Sequence, residues 1–371
     1  MPQCSNYLRP RLAPDQYREA NGLPLRSQAV PNHLSQACNA LHPVPPGFRA
    51  DLLRWRQLVA VQWLAALLAQ QAVAAAPARH WLLLEVACDG LEAYLGGHIP
   101  GAQYLDTRLL EHLPFWNALP PAQLRPVLQH AGIAPDSTVI LYGRNTLAAA
   151  RVAHLLLTAG VADVRLLDGG LSAWCHAGLA LQHGPQPARM PLATGRGLGA
   201  APSAPWQPRP DYLVHTPQVK ALLVQPDAVL VSIRTRAEFM GETSGYSYIA
   251  PRGEIAGARW GHAGVDGDVN SMRNFQDEAG RMRPAAEIAR IWREAGIGPE
   301  LQNVFYCGTG WRASLAFFYA WLMGWERISV YDGGWFEWSA DPANPVRGPV
   351  EGSPIGFSGN RLPADVAAPE Y

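Results

Sequence analysis

The sequence predicts an α/β protein with two domains, each a parallel β-sheet flanked by helices. Three observations predict this fold class. The length of 371 residues exceeds that of one ordinary domain. Short continuous apolar runs alternate with helical segments, which is typical of parallel strands covered on both faces. The same order of motifs also occurs twice along the chain.

Composition divides the chain into four segments. Residues 1–50 are rich in Pro and Asn and lack a sustained apolar period, which predicts an irregular N-terminal arm or the remnant of a lost domain. The two copies of the repeated unit occupy residues 51–182 and 211–371. The stretch between them, 183–210, is rich in Pro, Gly and Ala and indicates a linker.

The first copy begins with an apolar segment that predicts a helix over 57–71. A Gly-His-Ile-Pro-Gly-Ala turn follows at 97–102 and an Asp-Gly-Gly turn at 168–170. The pattern predicts strands at 81–84, 138–142 and 164–167 and further helices at 122–130 and 148–159.

The second copy repeats this order, with a Gly-Glu-Ile-Ala-Gly-Ala turn at 253–258 and an Asp-Gly-Gly turn at 332–334. The distance from Tyr142 to Tyr306 equals that from Asp168 to Asp332, so the later parts of the copies stay in register. The pattern predicts strands at 228–231 and 303–306 and helices at 216–224, 285–295 and 313–323.

Charge and hydropathy exclude several classes of function. The formal net charge is zero, so nothing favours binding to nucleic acid or to an anionic membrane. The most apolar segment, 57–76, contains four glutamines and is barely long enough to cross a bilayer, so we expect a core-facing helix there. The first residues lack the pattern of a secretory signal, which predicts a cytoplasmic location for the chain as written.

The five cysteines are an odd number, and no two of them have CxxC or metal-ligand spacing. The sequence therefore predicts no disulfide framework, no metal site and no cofactor. We expect Cys88 and Cys175 to be buried, inert thiols, as most free cysteines are. Only Cys307 has surroundings that predict chemistry.

Cys307 follows a predicted strand and heads the segment Cys307-Gly-Thr-Gly-Trp-Arg312, after which a helix is predicted. In parallel sheets, sites form beyond the carboxyl ends of the strands. Gly308 and Gly310 allow a tight backbone, and the loop amides and the helix N-terminus can bind an anion. Such surroundings, with an arginine at 312, favour a reactive thiolate. The loop is shorter than that of phosphatases with a catalytic cysteine, and a smaller ring suits a single sulfur atom.

These motifs together resemble the rhodanese (thiosulfate sulfurtransferase) superfamily over about residues 51–345. The loop, with Glu254-Ile-Ala-Gly-Ala-Arg-Trp260 upstream, is similar to that of multi-domain bacterial members. The resemblance implies that Cys307 takes sulfur from thiosulfate as a persulfide and gives it to cyanide, a thiol or a thioredoxin-like protein. It implies a substrate-binding loop of Gly308, Thr309, Gly310, Trp311 and Arg312. Because relatives can be exported, it also makes the periplasm an alternative location.

The resemblance implies different roles for the two domains. Gly143 stands where Cys307 is in the second copy, and Ala148 stands at the position of Arg312, so we expect the first domain to be catalytically silent. Arg234 matches a family arginine near the loop and is either substrate-binding or part of a structural ion pair. Ser232 replaces the usual family aspartate, which leaves Arg234 without its expected partner, and Glu238 matches a structural acidic position.

Several side chains near the loop keep two interpretations. Trp311 either lines the pocket or packs outward. Thr309 and Ser314 either bond the persulfide or cap the helix, and capping is the preferred interpretation for Ser314. Three aromatic residues either shape the entrance or belong to the core; they are Tyr246, Tyr248 and Trp335.

Four functions remain open at this level. The leading one is a thiosulfate sulfurtransferase, with 3-mercaptopyruvate as an alternative donor. A persulfide carrier that serves a partner protein would keep the same chemistry. A cysteine-dependent phosphatase or arsenate reductase is disfavoured by loop length. A non-enzymatic binding module is disfavoured by the intact Cys307 and Arg312, although fold alone does not prove function.

Overall fold

A computed structural model describes residues 44–185 and 204–348, and it contains two α/β units in the predicted order. The first unit has a five-stranded parallel sheet in the order β1-β7-β6-β2-β3. Its strands are β1 (Leu58–Val59), β2 (Trp81–Ala87), β3 (Gln103–Asp106), β6 (Thr138–Tyr142) and β7 (Asp163–Leu167), and β4 (Glu111–His112) and β5 (Asn117–Ala118) form a separate hairpin. Its helices are α1 (Val61–Leu68), α2 (Leu91–Leu95), α3 (Pro121–His130), α4 (Thr146–Ala159) and α5 (Gly170–His176).

The second unit repeats the architecture, with a parallel sheet in the order β11-β9-β12-β13-β8. Its strands are β8 (Leu213–Val214), β9 (Ala228–Ser232), β11 (Arg259–Trp260), β12 (Gln302–Tyr306) and β13 (Ile328–Tyr331), and β10 (Glu254–Ile255) pairs with β14 (Val346–Arg347). Its helices are α6 (Thr216–Leu222), α7 (Arg236–Phe239), α8 (Ala285–Glu294), α9 (Trp311–Leu322) and α10 (Gly334–Ala340).

The central strands are buried, as the continuous apolar runs predicted. Every residue of β6 is buried, and so are all but the first residue of β12. Strands without an exposed face need helices on both sides of the sheet. The predicted fold class of two parallel sheets flanked by helices is confirmed.

The predicted helix at 57–71 is wrong at both ends. Leu58 and Val59 form β1, because their backbone pairs with Leu166 and Leu167 at the edge of the first sheet. The helix itself covers only Val61–Leu68. It ends just before Gln70, whose φ of 59° is incompatible with a right-handed helix.

The two units share one core, centred on α4 and α9. All residues of α9 are buried, and so are residues 147–157 of α4. A helix that is buried all round is covered by something on every face. Each of these helices covers its own sheet and packs against the other helix, and their apolar side chains belong to a single cluster that spans both units.

The Asp-Gly-Gly turns also join the two units. Asp332 accepts a hydrogen bond from the Ala118 amide of the first unit at 2.8 Å, and Asp168 accepts one from the Met282 amide of the second at 2.8 Å. The predicted turns are therefore present, at the starts of α5 and α10, and their carboxylates have an additional role as reciprocal ties across the interface.

The outer segments of the predicted domain plan lie partly outside the described residues. These are 1–43 of the N-terminal arm, 186–203 of the linker and 349–371 at the C-terminus. Just before the first domain, Arg49 donates to the carbonyl oxygens of Met282 and Arg283 in the second. No helix within the described ranges is long and apolar enough to cross a membrane.

Candidate active site at the Cys307 loop

Cys307 lies at the carboxyl end of β12, where the sequence placed it, and is 1% exposed. Its loop turns through Gly310, which has a φ of 97°, and α9 begins at Trp311. The amide of Gly310 donates to the Cys307 Sγ at 3.3 Å. A left-handed residue at 310 therefore turns an amide onto the sulfur, which glycine accommodates without strain.

The carbonyl groups of the loop are held by the first turn of α10. The amide of Trp335 donates to the Cys307 oxygen at 2.7 Å, and that of Phe336 donates to the Gly308 oxygen at 3.1 Å. In a trans peptide the following N–H points the opposite way. The amides of Gly308 and Thr309 therefore face away from α10. The first N–H groups of α9, which have no partner within their helix, add to the same positive region.

Tyr246 covers the loop on the side of Gly308. A Cβ atom at position 308 would lie 2.3 Å from two ring carbons of Tyr246, so only glycine fits under the ring. The Tyr246 hydroxyl accepts a hydrogen bond from Arg312 at 2.8 Å. Burial raises the pKa of Tyr246 well above its ordinary value, so this hydroxyl stays protonated at neutral pH.

Arg312 is buried and forms a bidentate ion pair with Glu238, with distances of 2.7 and 2.8 Å. Burial alone would raise the pKa of Glu238, but the attraction of Arg312, helped by Arg234, outweighs it and lowers the pKa to about 2. Both terminal nitrogens of Arg312 are engaged by protein groups, while its Nε is buried without a hydrogen-bond partner in the described part of the chain. Glu238, for which a structural position was predicted, thus holds the arginine that ends the Cys307 loop segment.

Arg234 is also buried, and Glu254 replaces the missing family aspartate as its anion. Glu254 lies 3.4 Å from the Arg234 guanidinium and accepts hydrogen bonds from Ser232 and Tyr306. Glu238 lies 3.4 Å away on the other side. These contacts favour the structural alternative for Arg234, and its role in substrate binding stays a prediction. Sequence reasoning missed Glu254, although it stands in the quoted turn where the first copy has His98.

The aromatic residues near the loop divide into core and wall. Trp335 is fully buried and donates from Nε1 to the Pro251 oxygen, as the core interpretation predicted. Four other rings form a continuous edge-to-face chain with centroids 5.2–5.7 Å apart. Each ring contacts the next in the order Tyr246, Tyr248, Phe336 and Phe115. Phe115 comes from the first domain, so both domains build this wall.

Burial and hydrogen bonds exclude outward packing for Trp311 and helix capping for Ser314, and the role of Trp311 in lining a pocket stays a prediction. Trp311 packs inward, and its Nε1 donates to both oxygens of Glu111 in the first domain at 3.3 Å. Ser314 does not cap the helix, and the preferred interpretation was wrong. Its hydroxyl donates to the Gly310 oxygen at 2.9 Å, because a residue inside the first turn lies beside a carbonyl and not beside a free amide.

Three described cysteines are free, namely Cys88, Cys175 and Cys307. Burial raises the pKa of the half-buried Cys88 to about 11, which fits an inert thiol. Cys175 is exposed, contrary to expectation, because it lies on the outer face of the short helix α5.

Within the described ranges, no cluster of His, Cys, Asp and Glu side chains is arranged to hold a metal ion.

Comparison with known proteins places these features in a family. The chain is 48% identical over 321 residues to the thiosulfate sulfurtransferase YnjE of Escherichia coli strain K12, covering 85% of this chain and 71% of the relative. The crystal structure of YnjE matches with a TM-score of 0.74 over 82% of this chain and 70% of that one.

Two further relatives are named for other substrates or products. A probable 3-mercaptopyruvate sulfurtransferase of Pseudomonas aeruginosa is 33% identical over 78% of this chain and 97% of its own length. The structure of an anaerobic ergothioneine biosynthesis enzyme from Chlorobium limicola, in complex with its natural substrate trimethyl histidine, is 37% identical with a TM-score of 0.72. It covers 81% of this chain and 72% of that one.

The model of the rhodanese-like domain matches the chain twice, over residues 61–177 and 215–341. The second match contains the Cys307 loop, and the first contains the corresponding loop at Gly143. With two matches that cover more than half of the chain, and with two sheets of the same strand order, this chain belongs to the rhodanese-like domain family.

Proposed function

We propose that this protein is a thiosulfate sulfurtransferase in which Cys307 carries the transferred sulfur. The observation that carries the proposal is the position of the thiol at the N-terminus of α9, in a loop whose Gly310 amide donates to the sulfur. A thiolate is favoured at such a place, and the thiolate is the nucleophile in sulfur chemistry. The similarity to YnjE, a thiosulfate sulfurtransferase, supports the choice of donor.

The reaction has two displacement steps. The Cys307 thiolate attacks the outer sulfur of thiosulfate, a new S–S bond forms, and the old one breaks as sulfite leaves with the electron pair. The acceptor, cyanide or a thiolate, then attacks the outer sulfur of the Cys307 persulfide. Thiocyanate or a new persulfide leaves, and the thiolate is regenerated. A covalent intermediate of this kind replaces one difficult transfer by two easier ones.

The loop residues have distinct roles in this proposal. The amides of Gly308, Thr309 and Gly310 hold the negative charge of the persulfide, together with the first turn of α9, which contains Trp311 and Arg312. Arg312 contributes its buried positive charge through a fixed position on Glu238. The first domain carries Gly143 and Ala148 at the positions of Cys307 and Arg312, so we propose that it forms no persulfide.

Two alternative functions use the same Cys307 persulfide, with a different sulfur donor or a different acceptor. The Pseudomonas relative makes 3-mercaptopyruvate an alternative donor. A thioredoxin-like protein as acceptor would make the chain a persulfide carrier. Family membership favours sulfur transfer over the phosphatase alternative.

A second candidate acceptor is a trimethylated histidine. The Chlorobium enzyme, which is 37% identical to this chain, forms a complex with that molecule. The half-buried ring of Tyr246 beside the Cys307 loop supports this candidate, because aromatic rings bind quaternary ammonium groups. Its sulfurated product would be detected by mass after mixing persulfidated protein with the compound.

Thiocyanate formation from thiosulfate and cyanide tests the proposal. Wild type should turn over, Cys307→Ala should fall to the uncatalysed rate, and Cys175→Ala should keep the wild-type rate because Cys175 is exposed and lies in the other domain. Comparing kcat/KM for thiosulfate and 3-mercaptopyruvate then identifies the donor. Turnover that survives in Cys307→Ala, or no turnover with either donor, would rule the proposal out.

A further inference from the structure

We propose that the silent first domain takes part in sulfur transfer through Arg151, a positioning residue that holds both flanks of the Cys307 loop. The inference rests on the proposed function, since it assigns a role in the same reaction. It concerns a cluster of three buried charges at the domain interface, formed by Arg151, Glu111 and Asp332.

Arg151 lies on α4 of the first domain and is fully buried. Its Nε donates to Glu111 at 2.7 Å, and its Nη2 donates to Asp332 at 2.6 Å. Nη2 also lies 3.3 Å from the Trp116 oxygen. One guanidinium thus joins a carboxylate of its own domain to a carboxylate of the catalytic domain.

Each carboxylate leads to one side of the Cys307 loop. Glu111 accepts from the indole N–H of Trp311, the first residue of α9. Asp332 stands two residues before the start of α10, whose first amides hold the carbonyl groups of Cys307 and Gly308. Movement of Arg151 would therefore be transmitted to the loop from both ends.

The guanidinium also lies directly behind the loop. A Cβ atom at Gly310 would be 3.1 Å from the Arg151 Nη1, so the left-handed turn of the loop rests against this group. Nη1 is buried and has no hydrogen-bond partner within the described residues. The guanidinium is paired with two carboxylates, but this nitrogen keeps unused N–H donors beside the backbone of Gly310.

The repeat provides an internal control for this arrangement. The register that matches Tyr142 with Tyr306 also matches Arg151 with Leu315 on α9. The catalytic domain thus has a buried apolar side chain at the position where the silent domain has an arginine beside the Cys307 loop. The matching carboxylates of the interface are both kept, as Asp168 and Asp332, but the arginine occurs only beside the loop that contains Cys307. We therefore relate Arg151 to the nucleophile and not to the stability of the interface.

Stability alone does not account for the cluster. Apolar residues of similar volume often stabilise a buried site as well as an ion pair does, because burying charges costs desolvation free energy. Burial raises the pKa of Glu111 to about 7, and Asp332 adds to the increase, while Arg151 and Trp311 oppose it. The groups that face Glu111 are Arg151 from α4, Asp332 after β13, Trp311 from α9 and the Cys88 thiol after β2. Its charge therefore changes near neutral pH, which gives a distinctive readout.

The test measures single-turnover sulfur loading from thiosulfate, with kcat, KM and thermal stability, in Arg151→Lys and Glu111→Gln. We expect both variants to fold and to lower kcat about 10- to 100-fold with little change in KM, since a small misplacement of a reacting group costs this much. Glu111→Gln should also lose an inflection near pH 7 in the rate profile. The matched control is Arg165→Lys, a buried arginine of the same domain that pairs with Asp163 on β7 and should load sulfur at the wild-type rate.

The outcomes separate the inference from the function on which it rests. If wild type does not load sulfur, the proposed function fails first. If wild type loads sulfur and both variants match it after correction for folding, the inference is wrong. Should Arg151→Lys not fold, a double-mutant cycle of Glu111→Gln with Trp311→Phe decides, because independent effects on kcat would show that Glu111 does not act through the loop.

Discussion

Among single residues, Glu238 organises the charges beneath the nucleophile. It binds Arg312 through two short hydrogen bonds, approaches Arg234, and accepts from the Thr235 amide at the start of α7. Removing one member of a buried set leaves the others as uncompensated charges, which costs more than the set contributes when complete. Glu238 thus fixes the position of Arg312.

The variant Glu238→Gln should be destabilised by about 3 kcal/mol at pH 7, the value that follows from lowering the pKa from 4.5 to about 2. A lowered pKa gives stability that is present above the ordinary value of 4.5 and is lost as the pH falls toward 2. The difference from wild type in urea unfolding should therefore shrink between pH 5 and pH 3. The exposed Glu242→Gln is the control and should show no such loss. A constant difference at all pH values would contradict this account.

The position of the Cys307 loop between a strand and a helix could be predicted from the sequence, but the side chains that surround it could not. Cys307, Gly308, Gly310 and Arg312 are consecutive or nearly so, and one short motif carries them. Glu111 and Phe115 reach the site only through the packing of the two domains, and Glu254 reaches Arg234 through the folding of the second domain. A single sequence holds no periodic signal for contacts of that kind.

Among the elements, the loop between β12 and α9 depends on two glycines for different reasons. At Gly308 the reason is space, because the Tyr246 ring occupies the place of a Cβ atom. At Gly310 the reason is backbone conformation, since a φ of 97° is unfavourable for other residues. Removing the Tyr246 ring should therefore restore stability after a substitution at Gly308 but not after one at Gly310.

Gly308→Ala should lower sulfur loading strongly and destabilise the protein by about 1–3 kcal/mol, the usual range for overpacking. Adding Tyr246→Ala should restore part of the stability, because it removes the clashing ring. Gly310→Ala should cost about 1–2 kcal/mol, and Tyr246→Ala should not relieve it. Thermal unfolding of the four variants checks both statements, and equal rescue at the two positions would contradict them.

Each strand and helix predicted from apolar periodicity corresponds to an element of the structure, and the errors and omissions have physical causes. The strand β1 is only two residues long and exists through pairing with β7 at the sheet edge, so its residues were assigned to the neighbouring helix. The hairpin of β4 and β5 was missed because its two-residue strands have no alternation to detect. Short elements of this kind depend on tertiary contacts more than on their own sequence.

At the scale of the whole molecule, the two domains are joined by a continuous core and by buried charges. The helices α4 and α9 are buried on every face, so separating the domains would expose apolar surface on both helices. The sequence predicted two α/β units, because the motifs recur in register. It could not predict how they pack, since largely apolar helices indicate burial without identifying the partner.

The shared core predicts that both domains unfold together. Calorimetry of the full chain should show one transition, with equal calorimetric and van't Hoff enthalpies. The unfolding monitored by a fluorescent label on the exposed Cys175 of the first domain should coincide with it. Two separated transitions would contradict a single cooperative unit.

The central claim is that Cys307 alone carries the transferred sulfur, and the intact mass of the protein after incubation with thiosulfate tests it most directly. The account predicts a gain of one sulfur atom in wild type and in Cys175→Ala. It predicts no gain in Cys307→Ala and loss of the added mass when cyanide is supplied. An unchanged wild-type mass with every sulfane donor, or the same gain in Cys307→Ala, would contradict it.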